Sequence, residues 1–165
     1  MDKMVIANDE FFAEVKRVLS SEHRVTIPVK GYSMLPFIRG GKDLVVLEPE
    51  ENLRVGDIVL FYAGREGEGR YIMHRILRLE ERGGTPWAVI RGDGVLKNTE
   101  QVPVSAIIAR AVTILRGGQR PVDPRSPGHL RKVRFWEALR PLRRYILFVY
   151  KRLPWNIGWV RQDNN

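Results

Sequence analysis

The chain has 165 residues and a mass of 19.1 kDa, which fits one folded domain plus a tail. Hydrophobic residues at 44% and charged residues at 28% exclude a wholly disordered, collagen-like or polytopic membrane chain. The absence of cysteine excludes a disulfide framework, a thiolate zinc site and a cysteine nucleophile.

The net charge of +9 is concentrated in the last third of the chain. Residues 110–165 hold 13 Lys and Arg against three acids, whereas residues 1–109 hold 15 against 16. We therefore expect a nearly neutral domain that carries a basic C-terminal arm, rather than a basic domain. We expect no secretory signal, because acidic residues occupy the start of the chain where an apolar region would be needed.

The first predicted element is a short amphipathic helix that begins at Asn8 or Asp9 and ends near Ser20. Its apolar residues recur at helical spacing, so one face of the helix should lie on an apolar surface. These residues are Phe11, Phe12, Val15, Val18 and Leu19.

From Val25 the pattern changes to short β-type runs separated by Gly and Pro. Six strands are predicted, at residues 25–29, 43–47, 57–62, 71–79, 87–91 and 107–115. Six short strands with hairpin-like breaks predict a mainly β, α+β fold: a compact and mostly antiparallel β-domain.

The sequence after this domain divides into a linker and a helical tail. Residues 117–129 are rich in Gly and Pro and predict a linker, and Leu130–Trp155 has helical periodicity that Pro141 should kink or break. The predicted organisation is therefore an amphipathic helix with its connection (residues 1–24), a β-domain (25–116), a linker (117–129) and a basic, aromatic-rich helical tail (130–165).

The first candidate site is the segment Gly31–Pro36. Ser33 follows a predicted strand, with Gly31 before it and Pro36 after it, so backbone N–H groups can converge there and present a hydroxyl into a groove. A serine in such a position is more often an ordinary turn residue, and that interpretation stays open.

A nucleophilic serine needs a base, and the chain offers three histidines for that role: His23, His74 and His129. His23 and His129 lie in predicted loops, whereas His74 lies on a predicted strand, on the same face as Ile72 and Ile76. The alternative for His74 is a hydrogen-bonded histidine of the core or of a groove wall.

Two acids could assist the histidine. Asp93 lies between Gly92 and Gly94, which permit a tight turn that aims a carboxylate inward, and Glu100 follows after a short loop. Each could equally be a solvated acid in a turn.

The order of these motifs resembles that of the S24/S26 peptidase superfamily, and type I signal peptidases in particular. The resemblance covers residues 25–115, from Ser33-Met34-Leu35-Pro36 through the motifs at 54–61, 73–75 and 91–93 to the late strand at 108–112. It implies a serine endopeptidase on the antiparallel β-fold that signal peptidases share with LexA-like proteins, with no cofactor and no metal.

The resemblance also implies roles for single residues. Ser33 matches the nucleophile, its backbone N–H matches part of the oxyanion hole, and Gly31, Met34 and Pro36 belong to the oxyanion and substrate-binding turn. His74 falls where some members have a lysine base and others a histidine, so a Ser-His subtype is implied. Asp93 is favoured as the orienting acid, with Glu100 as the additional acid.

The implied substrate is an extended peptide with small residues before the cleaved bond. It could pair as a strand beside residues 25–30, where Pro28 marks a sheet edge. The sequence departs from signal peptidases at Glu100, where Asp is usual, at Ala109, where Gly is common, and in having an amphipathic segment where they have a transmembrane helix. We therefore expect a cytoplasmic peptide-processing enzyme, for example one that trims leader peptides.

The basic tail suggests a second kind of partner. Basic residues interleaved with aromatic ones are typical of segments that lie on anionic membranes, which is the favoured interpretation for residues 130–165. Packing on its own domain or in a dimer is the second interpretation, and nucleic-acid binding is the third, because no helix-turn-helix pattern precedes the β-domain. A peptide-binding module without catalysis is the main alternative to the peptidase, and a regulator that binds nucleic acid or membrane through the basic tail is the other.

Overall fold

A computed structural model describes residues 8–21, 23–49, 52–63 and 70–152. Its helices are α1 (Asn8–Leu19), α2 (Pro127–Ala138) and α3 (Arg143–Arg152), with one 3-10 turn at Val104–Ala106. Its strands are β1 (Val25–Pro28), β2 (Leu44–Pro49), β3 (Ile58–Ala63), β4 (Arg70–Arg82), β5 (Thr85–Arg91), β6 (Glu100–Pro103), β7 (Ile107–Arg116) and β8 (Arg120–Val122).

The strands form one antiparallel sheet in the order β1-β2-β7-β3-β4-β5-β6, and β8 pairs with β7. The mainly β, α+β architecture predicted from the sequence is confirmed. The predicted strand at residues 25–29 corresponds to β1, which lies at an edge of the sheet as expected. Short runs rich in Val and Ile that alternate with Gly and Pro turns are the local reason for these strands, and β7 returns to pair between β2 and β3.

Strand β4 changes partner along its length, which leaves part of it open. It pairs with β3 over Arg70–Arg75 and with β5 over Arg75–Arg82. Among the described strands, the first half of β4 therefore has a neighbour on one side only. This half carries His74.

The sheet buries two apolar clusters, one on each side. Helix α1 contributes Val15 and Leu19 to the larger cluster, as the helical spacing predicted, where they meet Ile27, Met34 and residues of β2, β3 and β7. The side chains of Phe11 and Phe12 lie outside the described residues. The second cluster joins β3, β4 and β5 around Phe61 and Ile76.

Helices α2 and α3 fold back onto the domain. Val133, Trp136 and Leu147 are buried together with Leu35 and Phe37, which belong to the turn that carries Ser33. The sequence grouped the tail as a segment beyond a linker, whereas its inner face is part of the domain's third core cluster. The predicted break at Pro141 falls between α2 and α3, where the structure has turns.

The predicted linker needs correction, because its residues are structured. Residues 120–122 form β8, and Ser126 caps α2 by accepting a hydrogen bond from the backbone N–H of His129. Arg125 forms a two-fold hydrogen-bonded ion pair with the buried Asp57, both at 2.7 Å. Asp57 also accepts a hydrogen bond from the backbone N–H of Arg54, as expected of a residue that caps a turn. Gly and Pro fix turns here instead of loosening the chain.

In the part of the chain that the structure describes, no helix is both long enough and apolar enough to cross a bilayer.

Candidate active site

Ser33 lies in a tight turn between β1 and β2. Gly31 adopts a φ of +81°, which a residue with a side chain rarely does, and the Leu35–Pro36 peptide is cis. Met34 is buried in the larger core cluster and anchors the turn, since the backbone N–H groups of Phe37 and Ile38 both donate to its carbonyl oxygen. Ser33 itself is half-buried beside a cavity.

The loop Gly92–Gly94 packs against the backbone of this turn. The N–H of Gly94 donates to the Ser33 carbonyl oxygen at 2.7 Å. A β-carbon added at Gly94 would lie 2.6 Å from the Tyr32 carbonyl oxygen, a separation that side chains do not tolerate. The two glycines of the Gly-Asp-Gly sequence therefore permit close approach to the serine turn, in addition to any freedom they give the loop.

His74 contacts an acid, and that acid is Glu100. Nδ1 of His74 lies 2.7 Å from Oε2 of Glu100, and the His74 side chain is almost fully buried, whereas Glu100 is partly exposed. An ionised carboxylate can only accept at this position, so in the neutral imidazole Nδ1 carries the proton and Nε2 is the acceptor. The ring also packs at a tilt on Phe61, with the centroids 6.1 Å apart.

Asp93, the acid favoured from the sequence, contacts a different residue. Its two carboxylate oxygens accept from Nε and Nη2 of Arg75, each at 2.8 Å, and both side chains are buried. The expectation that Asp93 lies behind the imidazole is therefore corrected in favour of Glu100. The physical reason is the strand alternation: His74 and Arg75 point to opposite faces of β4, and the buried guanidinium takes the buried carboxylate.

Nε2 of His74 and the backbone of Ser33 approach the same point. A β-carbon added at Gly92 would lie 2.9 Å from His74 Nε2 and 2.3 Å from the Ser33 carbonyl oxygen. The structure thus brings together Ser33, His74 and Glu100, three of the four candidate catalytic residues. Asp93 lies in the loop that supports the serine turn.

A cavity of about 820 Å³ opens beside these residues. One side is the chain from β1 into the serine turn, residues 27–34, and the other is the open half of β4, residues 70–74. Ser33, His74 and Glu100 all line it, and Val95 and Asn98 complete the wall next to Glu100. Core residues such as Leu60 close the bottom, so the space is a groove between two strand edges.

Four residues of this region were not given a role from the sequence. Arg75 holds Asp93 and also donates to the Gly56 carbonyl oxygen at 2.6 Å. Trp136 donates from Nε1 to the Asp93 carbonyl oxygen at 2.8 Å, and Glu137 accepts from the buried Arg91 at 2.7 Å. The available signal was the presence of Arg75 and Arg91 in strands that are otherwise apolar, because buried guanidinium groups need partners.

Behind the serine turn, burial and neighbouring arginines set the charge states of Glu137 and His129. Burial would raise the pKa of the Glu137 carboxyl, but hydrogen bonds from Arg143 and Arg91 outweigh burial and lower that pKa. His129 is buried against Phe37, and burial together with the positive charges of Arg75 and Arg116 lowers its pKa to about 4. His129 is therefore neutral at pH 7, and it does not line the groove.

Among known protein families and curated proteins, none matches this sequence. Membership of the S24/S26 superfamily therefore stays a prediction that rests on the motifs. Within the described ranges, no group of three or more His, Asp or Glu side chains is placed to hold a metal ion.

Proposed function

We propose that this protein is a serine endopeptidase of the signal-peptidase-like S24/S26 type, which cleaves a peptide or leader after small residues. The observation that carries the proposal is the arrangement of His74, with Nδ1 on Glu100 and Nε2 at the point where Gly92 meets the Ser33 backbone. Acyl transfer by a serine enzyme uses three groups: a serine nucleophile, an imidazole base beside it, and a carboxylate that orients the imidazole.

The proposed reaction has two steps. Oγ of Ser33 attacks the scissile carbonyl while its proton passes to Nε2 of His74, and Glu100 stabilises the imidazolium through Nδ1–H. The backbone N–H of Ser33 donates to the developing oxyanion, and His74 returns the proton to the leaving amine as the peptide bond breaks. A water molecule then gives a proton to Nε2 of His74 and attacks the acyl-enzyme carbonyl. His74 returns this proton to Oγ of Ser33 as the ester bond breaks, which releases the acid and regenerates Ser33.

The groove supports an extended peptide as the substrate. Strand β1 lies at the sheet edge, and residues 70–74 of β4 have a neighbour on one side only, so both can offer backbone hydrogen bonds to an added strand. Core side chains, Ile27, Met34 and Leu60 among them, close the bottom. The preference for small side chains next to the cleaved bond is proposed from the resemblance to signal peptidases.

The test is covalent labelling of the full chain with a fluorophosphonate probe, read by intact mass and peptide mapping. We expect one adduct at Ser33, none in Ser33→Ala, and labelling at least about 100-fold slower in His74→Ala. Ser105→Ala and His23→Ala are matched controls, because both residues are exposed and neither lines the groove. A folded protein that is not labelled at Ser33, or that labels equally well without His74, contradicts the mechanism.

The same two strand edges favour one alternative function, a peptide-binding module without catalysis. Edge pairing uses backbone groups and does not need Ser33 or His74. Incubation with a mixed peptide library separates the two functions. Cleavage after small residues supports the peptidase, whereas peptides that are retained intact, equally by the wild type and Ser33→Ala, support the module.

The proposal includes a cytoplasmic location with contact to the membrane surface. Fractionation of cells that express the full chain tests it. We expect the protein in the cytoplasmic and membrane fractions, and release from membranes by high salt or alkaline carbonate. Recovery in a secreted or periplasmic fraction contradicts this location.

A further inference from the structure

Exposed apolar side chains are concentrated on one part of the molecule. Of the nine large hydrophobic residues that are exposed in the described chain, six lie between positions 135 and 149. They are Phe135, Leu142, Tyr145, Ile146, Phe148 and Val149. They do not belong to the buried cluster of α2 and α3, to which these helices contribute Val133, Trp136 and Leu147. We call this set the outer face of α2 and α3.

Exposed basic residues are interspersed with the outer face along the same segment. The exposed basic residues of α2, α3 and the turn between them are Arg131, Lys132, Arg134, Arg140, Arg144 and Arg152. Two of them lie over exposed aromatic rings: Arg144 over Tyr145 at 5.3 Å, and Arg152 over Phe148 at 4.1 Å. The single acid of residues 127–152, Glu137, is engaged by Arg91 and Arg143. The surface is therefore both apolar and uncompensated in charge.

We propose that the outer face of α2 and α3 binds the surface of an anionic lipid bilayer. The aromatic and aliphatic side chains would enter the boundary between headgroups and acyl chains, while the arginines contact lipid phosphates. α3 has 10 residues, about 15 Å of helix, so it can lie in the plane of the interface but cannot cross the ~30 Å hydrocarbon core. This inference rests on the membrane contact included in the proposed function and assigns that contact to one surface, but it does not depend on the peptidase activity.

Charge and side-chain chemistry favour lipid over other occupants. A second copy packed symmetrically on this face would bring arginines against arginines, with no free acid on either side. Nucleic acid would contact the cations and the aromatic rings. It would leave Leu142, Ile146 and Val149 without a partner, because these side chains neither stack on bases nor bind phosphate. An anionic bilayer accommodates both properties of the face.

The inner faces of these helices connect the bilayer contact to the candidate site. Trp136 donates to the Asp93 carbonyl oxygen, and Leu147 packs in one cluster with Leu35 and Phe37 of the serine turn. Binding through α2 and α3 would therefore hold the serine turn close to the lipid surface. Peptides that emerge from or lie on a membrane are the substrates that such a position would favour.

The test is flotation of the full chain with phosphatidylcholine vesicles, with and without phosphatidylglycerol. We expect co-flotation with the anionic vesicles and little with the neutral ones. The double variant Phe148→Ser/Val149→Ser should bind at least about tenfold more weakly. The matched control is Leu79→Ser/Leu96→Ser, which removes two exposed apolar residues outside the outer face and should bind like the wild type.

A charge variant tests the second component of binding. Arg144→Glu should weaken binding to anionic vesicles by about fivefold or more, and the effect should shrink at high salt. Arg120→Glu, an exposed residue of β8, has the same change in net charge and should bind like the wild type. Equal loss in both variants would show that net charge alone acts, which overturns the assigned face.

Two further results would overturn the proposal. In the first, the full chain stays at the bottom of the gradient with anionic vesicles and forms a dimer, whereas the Phe148→Ser/Val149→Ser variant is monomeric. That result assigns the face to a second copy. The other is retention on duplex or single-stranded DNA with no flotation. Labelling of Ser33 by the fluorophosphonate probe should be normal in the double variant without lipid, so failure of this proposal and failure of the peptidase are distinguishable.

Discussion

His74 can accept a proton from Ser33 only if its Nε2 is unprotonated, and the group at Nδ1 decides this. Glu100, at 2.7 Å, accepts from Nδ1 and so fixes the proton on that nitrogen. A neutral amide at the same place could instead donate to Nδ1 and move the ring proton to Nε2. In the proposed mechanism the carboxylate therefore has a tautomeric role as well as an electrostatic one.

The Glu100→Gln variant tests this role. We expect the rate of Ser33 labelling to fall by about 100-fold or more, because the amide favours the unproductive tautomer and no longer stabilises the imidazolium. The measurement is the labelling rate as a function of pH. Glu81→Gln, at an exposed position of β4, is the control and should label like the wild type. An unchanged rate in Glu100→Gln contradicts the assignment.

Gly92 is required because there is no room for a side chain at this position. The Gly92→Ala variant places a methyl group against the Ser33 carbonyl oxygen and His74 Nε2, at separations too short for contact. We expect a loss of about 1–3 kcal/mol in the free energy of unfolding and slower labelling of Ser33. Urea unfolding and the labelling rate measure the two effects.

Gly128→Ala is the matched control for that variant. A β-carbon at Gly128 meets no atom within 4 Å, and the position lies in the first turn of α2, where alanine favours the helix. It should leave the unfolding free energy unchanged or raise it slightly. Tolerance of alanine at both positions would contradict the close approach at Gly92.

The sequence named Ser33, His74 and Glu100 as candidates, and the structure brings them together, but the sequence favoured Asp93 as the acid that faces the histidine. Gly92 and Gly94 suggested a turn that aims Asp93 inward, and Asp93 does point inward. Its partner could not be deduced, because the pairing depends on the face to which Arg75 points and on a bulge between β4 and β5. Side-chain pairing across a sheet requires the register, which motif spacing alone does not contain.

At the scale of elements, the loop 92–94 connects the tail to the serine turn. Trp136 of α2 donates to the Asp93 carbonyl oxygen, and the ring is flanked by the guanidinium of Arg143 at 5.2 Å. Arg91, the last residue of β5, pairs with Glu137 of the same helix. Helix α2 therefore contacts both the end of β5, at Arg91, and the loop 92–94 that supports the serine turn.

The Trp136→Phe variant removes one of these connections while keeping an aromatic ring. The Asp93 carbonyl oxygen is left without its buried donor, which costs about 1–2 kcal/mol in unfolding free energy. We also expect slower labelling of Ser33, because the loop is less firmly held against the turn. Trp87→Phe on the β4–β5 hairpin is the control, and equal effects of the two substitutions would contradict a role for the Trp136 hydrogen bond.

Six of the strands were predictable from β-type runs, whereas β6 and β8 were not. β6 (Glu-Gln-Val-Pro) and β8 (Arg-Pro-Val) each contain only one β-branched residue, so neither shows the apolar alternation of β1, which is as short as β6 and also contains a proline. Both owe their conformation to pairing with a longer strand, β5 for one and β7 for the other. Tertiary pairing therefore overrides the loop-like composition of residues 117–129.

At the scale of the whole molecule, stability should depend on pH through His129. Burial lowers the pKa of His129 from 6.5 to about 4, so the folded protein binds fewer protons than the unfolded chain between these values. The contribution of neutral His129 is complete above pH 6.5 and is lost as the pH falls to 4. We expect a loss of roughly 3 kcal/mol over this window.

Urea unfolding of the wild type and of His129→Phe across this pH range measures the effect. The variant should lack the decrease, because phenylalanine keeps the contact with Phe37 and has no proton to bind. Carboxylates such as Glu137, whose pKa is lowered, contribute at still lower pH in both proteins. Parallel curves for the two proteins would contradict the assignment to His129.

The order of these residues along the chain has a consequence for synthesis. Ser33, His74 and Glu100 are translated before Trp136, Glu137 and Leu147, the residues that fasten the serine turn and its supporting loop from behind. A nascent chain that has reached only β8 holds every reacting group of the proposed peptidase without that support. If the proposed peptidase depends on these contacts, it becomes fully competent only after α2 and α3 have left the ribosome and packed against the domain.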